Sequence, residues 1–358
     1  MEKKQLDDED YARKERILKQ RAKRKKKQQK KRKKTTVAVT AAILIVAVTG
    51  MACFLTRDHN DKNAEVLTYE AEHYNKSVFQ TEQLFASDLC VASENRDKIQ
   101  YSGSDDVHAA GLFDLDSQSV LYADNIHERL YPASTTKIMT ALLALEKGNL
   151  SDMVTVGKNA DGASFPWDAQ LCGLKEGDRL TLEDLLYGLL LHSGNDAGTA
   201  IAEYISGSEE AFVKEMNQKA KELMAVNTHY MNPHGLHDVN HYTTAYDLYL
   251  IFNECIKNEE FVKIMETDSY TASIKGADGS VREEVWTPTN YYAKGITKAP
   301  EGVTVLGGKT GTTGEAGNCL ILLDHDKQNR SYISVVMGAG TKNALYEDMN
   351  ALLQGAAR

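Results

Sequence analysis

Three short stretches of this 358-residue chain carry residue types able to act on an acyl group. In YPASTTKIMTALLALEKGNL, residues 131–150, Ser134 and Lys137 stand three apart at what reads as a helix start. Pro132 precedes them, and Ile138, Met139, Leu142, Leu143 and Leu145 come after. Positions i and i+3 share a helix face, so the lysine can reach back over the serine hydroxyl. A serine is a weak nucleophile until something takes its proton. A desolvated lysine has a lowered pKa and can do so, and a helix N-terminus favours both the alkoxide and the neutral amine. Taken alone, a serine ahead of a lysine at a helix start is ordinarily a cap and a solvated charge.

Two later stretches change that reading. Ser193-Gly194-Asn195 interrupts leucine-rich helical segments in LLLHSGNDAGTA. Its plain reading is a turn between helices. Its chemical reading makes Ser193 a proton relay and Asn195 a hydrogen-bond partner for a substrate amide. Lys309-Thr310-Gly311-Thr312, in VLGGKTGTTGEAG, is expected at the end of a strand over Thr304–Gly308. There Lys309 would supply positive charge for a carboxylate, and Thr310 and Thr312 would supply hydroxyls. Gly311 would let a ligand approach the backbone closely. The N–H groups of Thr312 and Ser134 are candidates for an oxyanion hole. A tight turn would explain some of Gly307, Gly308, Gly311 and Gly314, but four glycines are many for that purpose.

The elements that must position these groups are read from patterning. Val107–Phe113 and Ser119–Tyr122 read as a hairpin, and Met153–Val156 as a short strand. A loop with Phe165, Pro166, Trp167 and Cys172 leads to Leu174–Asp178. Thr181, with Asp184 three residues on, caps a buried helix to Leu191. Helical character continues in Asp196–Ile205, Ser208–Met224, Thr244–Lys257 and Glu259–Thr267, with Asn232–Asp238 as a loop. Strands come next at Ser269–Ile274, Val281–Trp286, Asn318–Asp324 and Arg330–Met337, then a helix at Asn343–Leu353. Helices in the middle with strands on both sides predict an α+β fold: an antiparallel sheet flanked by helices, with a helical lobe.

Charge divides the chain. Residues 1–34 hold 17 Lys+Arg and 6 Asp+Glu, a net of +11; the remainder holds 42−17 = 25 basic and 51−6 = 45 acidic residues, a net of −20. A basic run of this kind suits nucleic acid or anionic lipid. The uncharged, apolar Thr35–Thr56 after it selects lipid, because 19 residues, Val37–Leu55, suffice to span a bilayer. The reading is a basic cytoplasmic tail (1–34), a transmembrane anchor (35–56), a stalk (57–83) and an extracellular domain (84–358), with no nucleic-acid partner. A cleaved signal peptide competes, but the basic region is too long for one, and the residues before Cys53 fit a lipoprotein site poorly. Cys90, Cys172, Cys255 and Cys319 show no metal-ligand spacing and are expected as buried thiols, one disulfide being the alternative.

In this order, Ser-x-x-Lys, Ser-x-Asn and Lys-Thr-Gly form the signature of penicillin-binding proteins and class A β-lactamases. Beyond it, PASTTKIMTALLALE, LTLEDLLYGLLLHSGNDA and GGKTGTTGEAGNCLILL resemble the D-alanyl-D-alanine carboxypeptidases, serine peptidases among the low-molecular-weight penicillin-binding proteins. The resemblance runs over roughly residues 84–358. It implies a penicillin-binding protein/β-lactamase-like (DD-peptidase) fold. It also implies removal of the terminal D-alanine from peptidoglycan stem peptides, covalent inhibition by β-lactams, and no metal or organic cofactor. Carried over by motif, Ser134 is the acyl-forming nucleophile, Lys137 its proton acceptor and Ser193 the third catalytic residue. Asn195 binds the substrate backbone, and Lys309, with Thr310, Gly311 and Thr312, binds the substrate carboxylate end.

Many members carry a further β-rich domain and an amphipathic anchor at the C-terminus. Only 47 residues follow Gly311, so both are expected to be absent, the N-terminal span replacing the anchor. A Ser/Lys pair needs no histidine base, so His234 and His237 read as loop-stabilising, and His192 has no assigned role. Phe165 and Trp167 could rim the groove or fill the core. Three alternatives stand: a DD-endopeptidase, a class A-like β-lactamase and a non-catalytic wall-binding protein. The lactamase needs a Glu-x-x-x-Asn, and between Ser193 and Lys309 the sequence offers only Glu254–Asn258.

Overall fold

The computed structural model describes residues 86, 88–92, 95–99, 101 and 107–356. The expected tail, membrane span, stalk and the domain boundary at residue 84 lie outside them. Among the described residues, no helix is long and apolar enough to cross a membrane.

In chain order the strands are β1 (Arg96–Asp97), β2 (Ala109–Asp114), β3 (Ser119–Asp124), β4 (Met153–Thr155), β5 (Arg179–Thr181), β6 (Tyr270–Lys275), β7 (Val281–Trp286), β8 (Val303–Thr313), β9 (Gly317–Asp326) and β10 (Ser331–Ala339). The α-helices are α1 (Lys137–Lys147), α2 (Leu182–Tyr187), α3 (Asn195–Ser206), α4 (Glu209–Glu222), α5 (Ala245–Cys255), α6 (Glu259–Met265) and α7 (Lys342–Leu353). Six strands pair antiparallel in the order β1-β3-β2-β10-β9-β8, which leaves β8 at one edge. A second sheet, β4-β5-β6-β7, stands apart from the first. The sequence reading foresaw one sheet. The three-residue β4 and β5 are too short for alternation to reveal a second.

Helices cover both faces of the large sheet. Ile321 and Leu323 of β9, with Ile333, Val335 and Met337 of β10, join the main core with α1 and α5; Leu320, Leu322, Tyr332 and Val336 join a second core beneath α7. Alternate residues of a strand face opposite sides, so two apolar cores require the near-continuous apolar runs CLILL and YISVVM.

Two elements differ from expectation in ways that bear on chemistry. The helix capped by Thr181 has the expected reciprocal bonds with Asp184 (Thr181 N–H to Oδ2, 2.9 Å; Asp184 N–H to Thr181 Oγ1, 3.0 Å). It does not run as an α-helix to Leu191, however: Gly188–His192 forms a π-helical turn. Ser193 then adopts the left-handed conformation, φ 65°. Single π-turns recur at functional sites because they re-aim the side chains of the next few residues. The second difference is β8, which continues through Lys309–Thr312 to Thr313 instead of ending at Gly308. Its glycines serve close approach: a Cβ on Gly307 would lie 2.7 Å from Met265 O, and one on Gly311 2.7 Å from Pro132 O.

Candidate active site

Ser134 sits in a 3₁₀ turn, Ala133–Thr136, that feeds α1. The turn is clamped on two sides. Gly311 of β8 faces Pro132 O, and a Cβ there would also lie 3.1 Å from Ser134 N. From the other side Gly235, at φ +90°, comes so close that an added Cβ would stand 1.9 Å from Ala133 O. Ala133 itself has φ 47°, a conformation that costs a non-glycine residue about 1–3 kcal/mol unless its surroundings impose it. The loop bearing Gly235 is fixed by Asn232 Oδ1, which accepts from Gly235 N–H (2.7 Å), and by Thr140 Oγ1, which donates to Pro233 O (2.5 Å).

Lys137 opens α1 and is fully buried. Its Nζ lies 2.9 Å from Ser134 Oγ, 2.7 Å from Asn195 Oδ1 and 2.6 Å from the carbonyl of His234. Burial, and after it the charge of Lys309, pushes its pKa well below the ordinary lysine value. A neutral amine has two N–H bonds and one lone pair. The carbonyl-type acceptors of Asn195 and His234 take the N–H bonds, and the lone pair is left for the serine hydroxyl.

Lys309 Nζ lies 2.9 Å from Ser193 Oγ and 3.0 Å from Thr310 O. Burial alone lowers its pKa to about 7. Two lysines thus each hold one serine, and both serines open onto one groove of about 340 Å³ lined by Ser134, Ser193, Asn195, Thr310, Gly311 and Thr312. The structure therefore brings together all eight residues singled out by sequence, the two lysines lying beneath the groove. Because β8 is an edge strand, its backbone on the groove side has no neighbouring strand. Thr310 Oγ1 meets Thr289 Oγ1 (2.5 Å), and Thr312 Oγ1 donates to Asn318 Oδ1 (3.1 Å).

The other candidates fall elsewhere. His234 is buried, with Nδ1 accepting from Leu236 N–H (3.2 Å) and its carbonyl on Lys137; burial pushes its pKa well below the usual value. His237 stacks edge-on against Tyr131, and His192 Nε2 lies 3.0 Å from Gln170 Nε2. Glu254 pairs with Lys257 (2.8 Å) and Asn258 caps α6, so neither lines the groove. Phe165 contacts the His234 ring, whereas Trp167 is exposed. The four cysteines are buried and free. Sequence reasoning missed Thr289 and His241. The latter's Nε2 meets Thr136 Oγ1 (2.9 Å) in the turn that carries Ser134, and burial lowers its pKa to about 3. It also missed Asp196, whose carboxylate accepts from Cys172 N–H (2.8 Å) and Leu174 N–H (3.0 Å) and so ties the loop before β5 to α3. No spacing marks these positions, because they act through tertiary contacts.

Residues 98–341 match the family described as D-alanyl-D-alanine carboxypeptidase. The chain is 41% identical over 239 residues to D-alanyl-D-alanine carboxypeptidase DacF of Bacillus subtilis, covering 65% of this chain and 57% of that protein. It is 36% identical over 251 residues to DacA of Haemophilus influenzae, covering 68% and 60%. It thus spans less than two thirds of the length of these relatives. Among solved structures, a Streptomyces DD-transpeptidase superposes with a TM-score of 0.66 at 28% identity, covering 72% of this chain and 99% of that one. Penicillin-binding protein 5 from Haemophilus influenzae superposes with a TM-score of 0.62 at 33% identity, covering 71% of each.

Proposed function

Because the chain belongs to the D-alanyl-D-alanine carboxypeptidase family of serine peptidases, we propose that it removes the terminal D-alanine from peptidoglycan stem peptides through an acyl-enzyme on Ser134. The observation that carries this reading is the pairing of Ser134 with a buried, pKa-lowered Lys137 at 2.9 Å.

In this reading Ser134 Oγ attacks the carbonyl carbon of the penultimate D-alanine, and its proton passes to Lys137 Nζ. The oxyanion is held by the N–H groups of Ser134 and Thr312. The C–N bond then breaks as the leaving amine takes a proton through Ser193, whose hydroxyl is held by Lys309. Asn195 and the free edge of β8 hold the peptide backbone, and the Lys309–Thr312 stretch faces the terminal carboxylate. Water repeats the attack on the ester and frees Ser134. β-Lactams enter by the same first step and stay as covalent inhibitors.

The test is time-resolved intact mass of the full chain in detergent, mixed with benzylpenicillin. One lasting adduct is expected in the wild type and none in Ser134→Ala. Rapid penicillin turnover without an adduct would point to a lactamase, and neither adduct nor turnover from folded protein would sink the catalytic reading. A second reading has its own support: the chain covers 99% of a structure described as a DD-transpeptidase. Added amine acceptor would then compete with water for the acyl group, and a transferred product would appear in the mass spectrum.

We further propose that residues 35–56 anchor the protein in the cell membrane in a single pass, with the tail cytoplasmic and residues 84–358 outside. The support is the apolar run itself and the +11 charge ahead of it. Retention in membranes washed with alkaline carbonate is expected, and full release of the intact chain would overturn it.

A further inference from the structure

The proposed reaction uses only the carbonyl of His234, and the ring has no part in it. That carbonyl accepts from Lys137 Nζ (2.6 Å), and the next residue, Gly235, presses on Ala133 beside Ser134. Whatever fixes this loop therefore fixes Lys137 and Ser134 together.

The ring is held on several sides. Burial keeps it neutral, so it bears one proton. Nδ1 accepts from Leu236 N–H (3.2 Å), which leaves that proton on Nε2. Phe165 packs edge-on, with ring centres 5.7 Å apart, and a Cβ on Gly198 of α3 would lie 3.4 Å from His234 Cβ. Nε2 itself lies 4.0 Å from Glu209 Oε1, longer than a hydrogen bond but within electrostatic reach at a buried site.

Glu209 opens α4, and it is not a free surface charge. The buried Thr199 of α3 donates its hydroxyl to the same Oε1. The next residue, Glu210, is exposed, although both glutamates line one cavity of about 390 Å³. A carboxylate at a helix start is ordinarily explained by the helix dipole. That explanation covers both glutamates alike. It does not account for one of them being seated on α3 with an imidazole N–H before it. Of the two lone pairs on Oε1, the Thr199 hydroxyl takes one, and the other is left for Nε2–H.

We propose that Glu209 is a positioning residue: its Oε1, seated by Thr199, holds the His234 ring at Nε2–H and so sets the carbonyl that orients Lys137. This rests on the acyl-enzyme reading of Ser134. Glu209 does not line the reactive groove. It acts on the geometry at which Lys137 meets the Ser134 hydroxyl, and proton transfer depends steeply on that geometry.

The experiment follows acylation of the full chain in detergent over a range of benzylpenicillin concentrations, which separates the limiting rate from the half-saturating concentration. Glu209→Ala should lower the limiting rate roughly tenfold and leave the half-saturating concentration unchanged. Glu209→Gln keeps a carbonyl oxygen in place and should retain most of the rate. Glu210→Ala removes the same charge from the same turn of α4 and should have no effect. Unaltered acylation in Glu209→Ala overturns the proposal, as does an equal loss in Glu209→Gln or Glu210→Ala, or a loss confined to the half-saturating concentration. If Glu209→Ala does not fold, Thr199→Val decides: a slower limiting rate supports the proposal, and the wild-type rate overturns it. Nitrogen-15 imidazole spectra, with His234→Gln to identify the signal, give an independent readout. They should place the wild-type proton on Nε2 and show its exchange with water accelerated in Glu209→Ala and Thr199→Val. A wild-type ring protonated on Nδ1, or exchange unchanged in these variants, overturns the proposal. If the wild type forms no adduct on Ser134, the acyl-enzyme reading has failed, and the exchange alone then decides whether Glu209 holds the ring.

Discussion

At the scale of single residues, the proposed reaction turns on keeping Lys137 uncharged. Its three contacts leave room for two N–H bonds and one lone pair, and burial removes the water that would favour a third proton. An arginine carries its charge at any working pH and has no lone pair to offer. Lys137→Arg should therefore lower the rate of penicillin acylation by about a hundredfold or more, the upper part of the range for lost proton transfer, as read by adduct formation. For the wild type, the lowered lysine sets the sign of the pH effect. As pH falls through its folded value the amine takes a proton and cannot accept Ser134's, so acylation should slow on the acid side. A rate that rises as pH falls would contradict this role. These residues were legible in the sequence because their types and order are unusual together. His241 and Asp196 were not, since each supports the site across more than 20 residues through burial and long-range hydrogen bonds, His241 to the Thr136 hydroxyl and Asp196 to the Cys172 N–H.

At the scale of elements, Ser134 is a product of two glycine contacts. Gly235→Ala meets both a positive φ and a Cβ 1.9 Å from Ala133 O, so it should destabilise the fold by about 3 kcal/mol or more in denaturant titration and abolish the adduct. Gly311→Ala meets Pro132 O at 2.7 Å without a positive φ. Its expected effect is milder on stability, about 1–3 kcal/mol, with a larger proportional loss of acylation because the displaced turn carries Ser134, the proposed nucleophile. The same contacts explain why β8 was misjudged from sequence. Clustered glycines ordinarily end a strand, and here they let an uninterrupted strand press against its neighbours. The helix starts at Thr181 and Ser208 were legible because their caps are local, whereas the π-turn at Gly188–His192 depends on the packing around it.

At the scale of the whole domain, the groove is a junction. One wall is the edge of the large sheet, and the other is built from the start of α3 and the loop before β5. A covalently held ligand that touches both walls should stabilise their union. Benzylpenicillin should thus raise the melting temperature of the wild type and leave Ser134→Ala unchanged, as tracked by calorimetry. The exposed side of β8 has a further meaning. A bare strand edge is a template onto which any extended chain can add, and soluble proteins usually guard such edges with charge or proline. Lys309 is turned inward beneath the groove, and the Thr310–Thr313 stretch offers no charge of its own. The opposite wall guards it instead, leaving a slot for a single strand. Catalysis and resistance to aggregation are thereby one design: loosening the loop before β5 should make the protein self-associate as well as slow it.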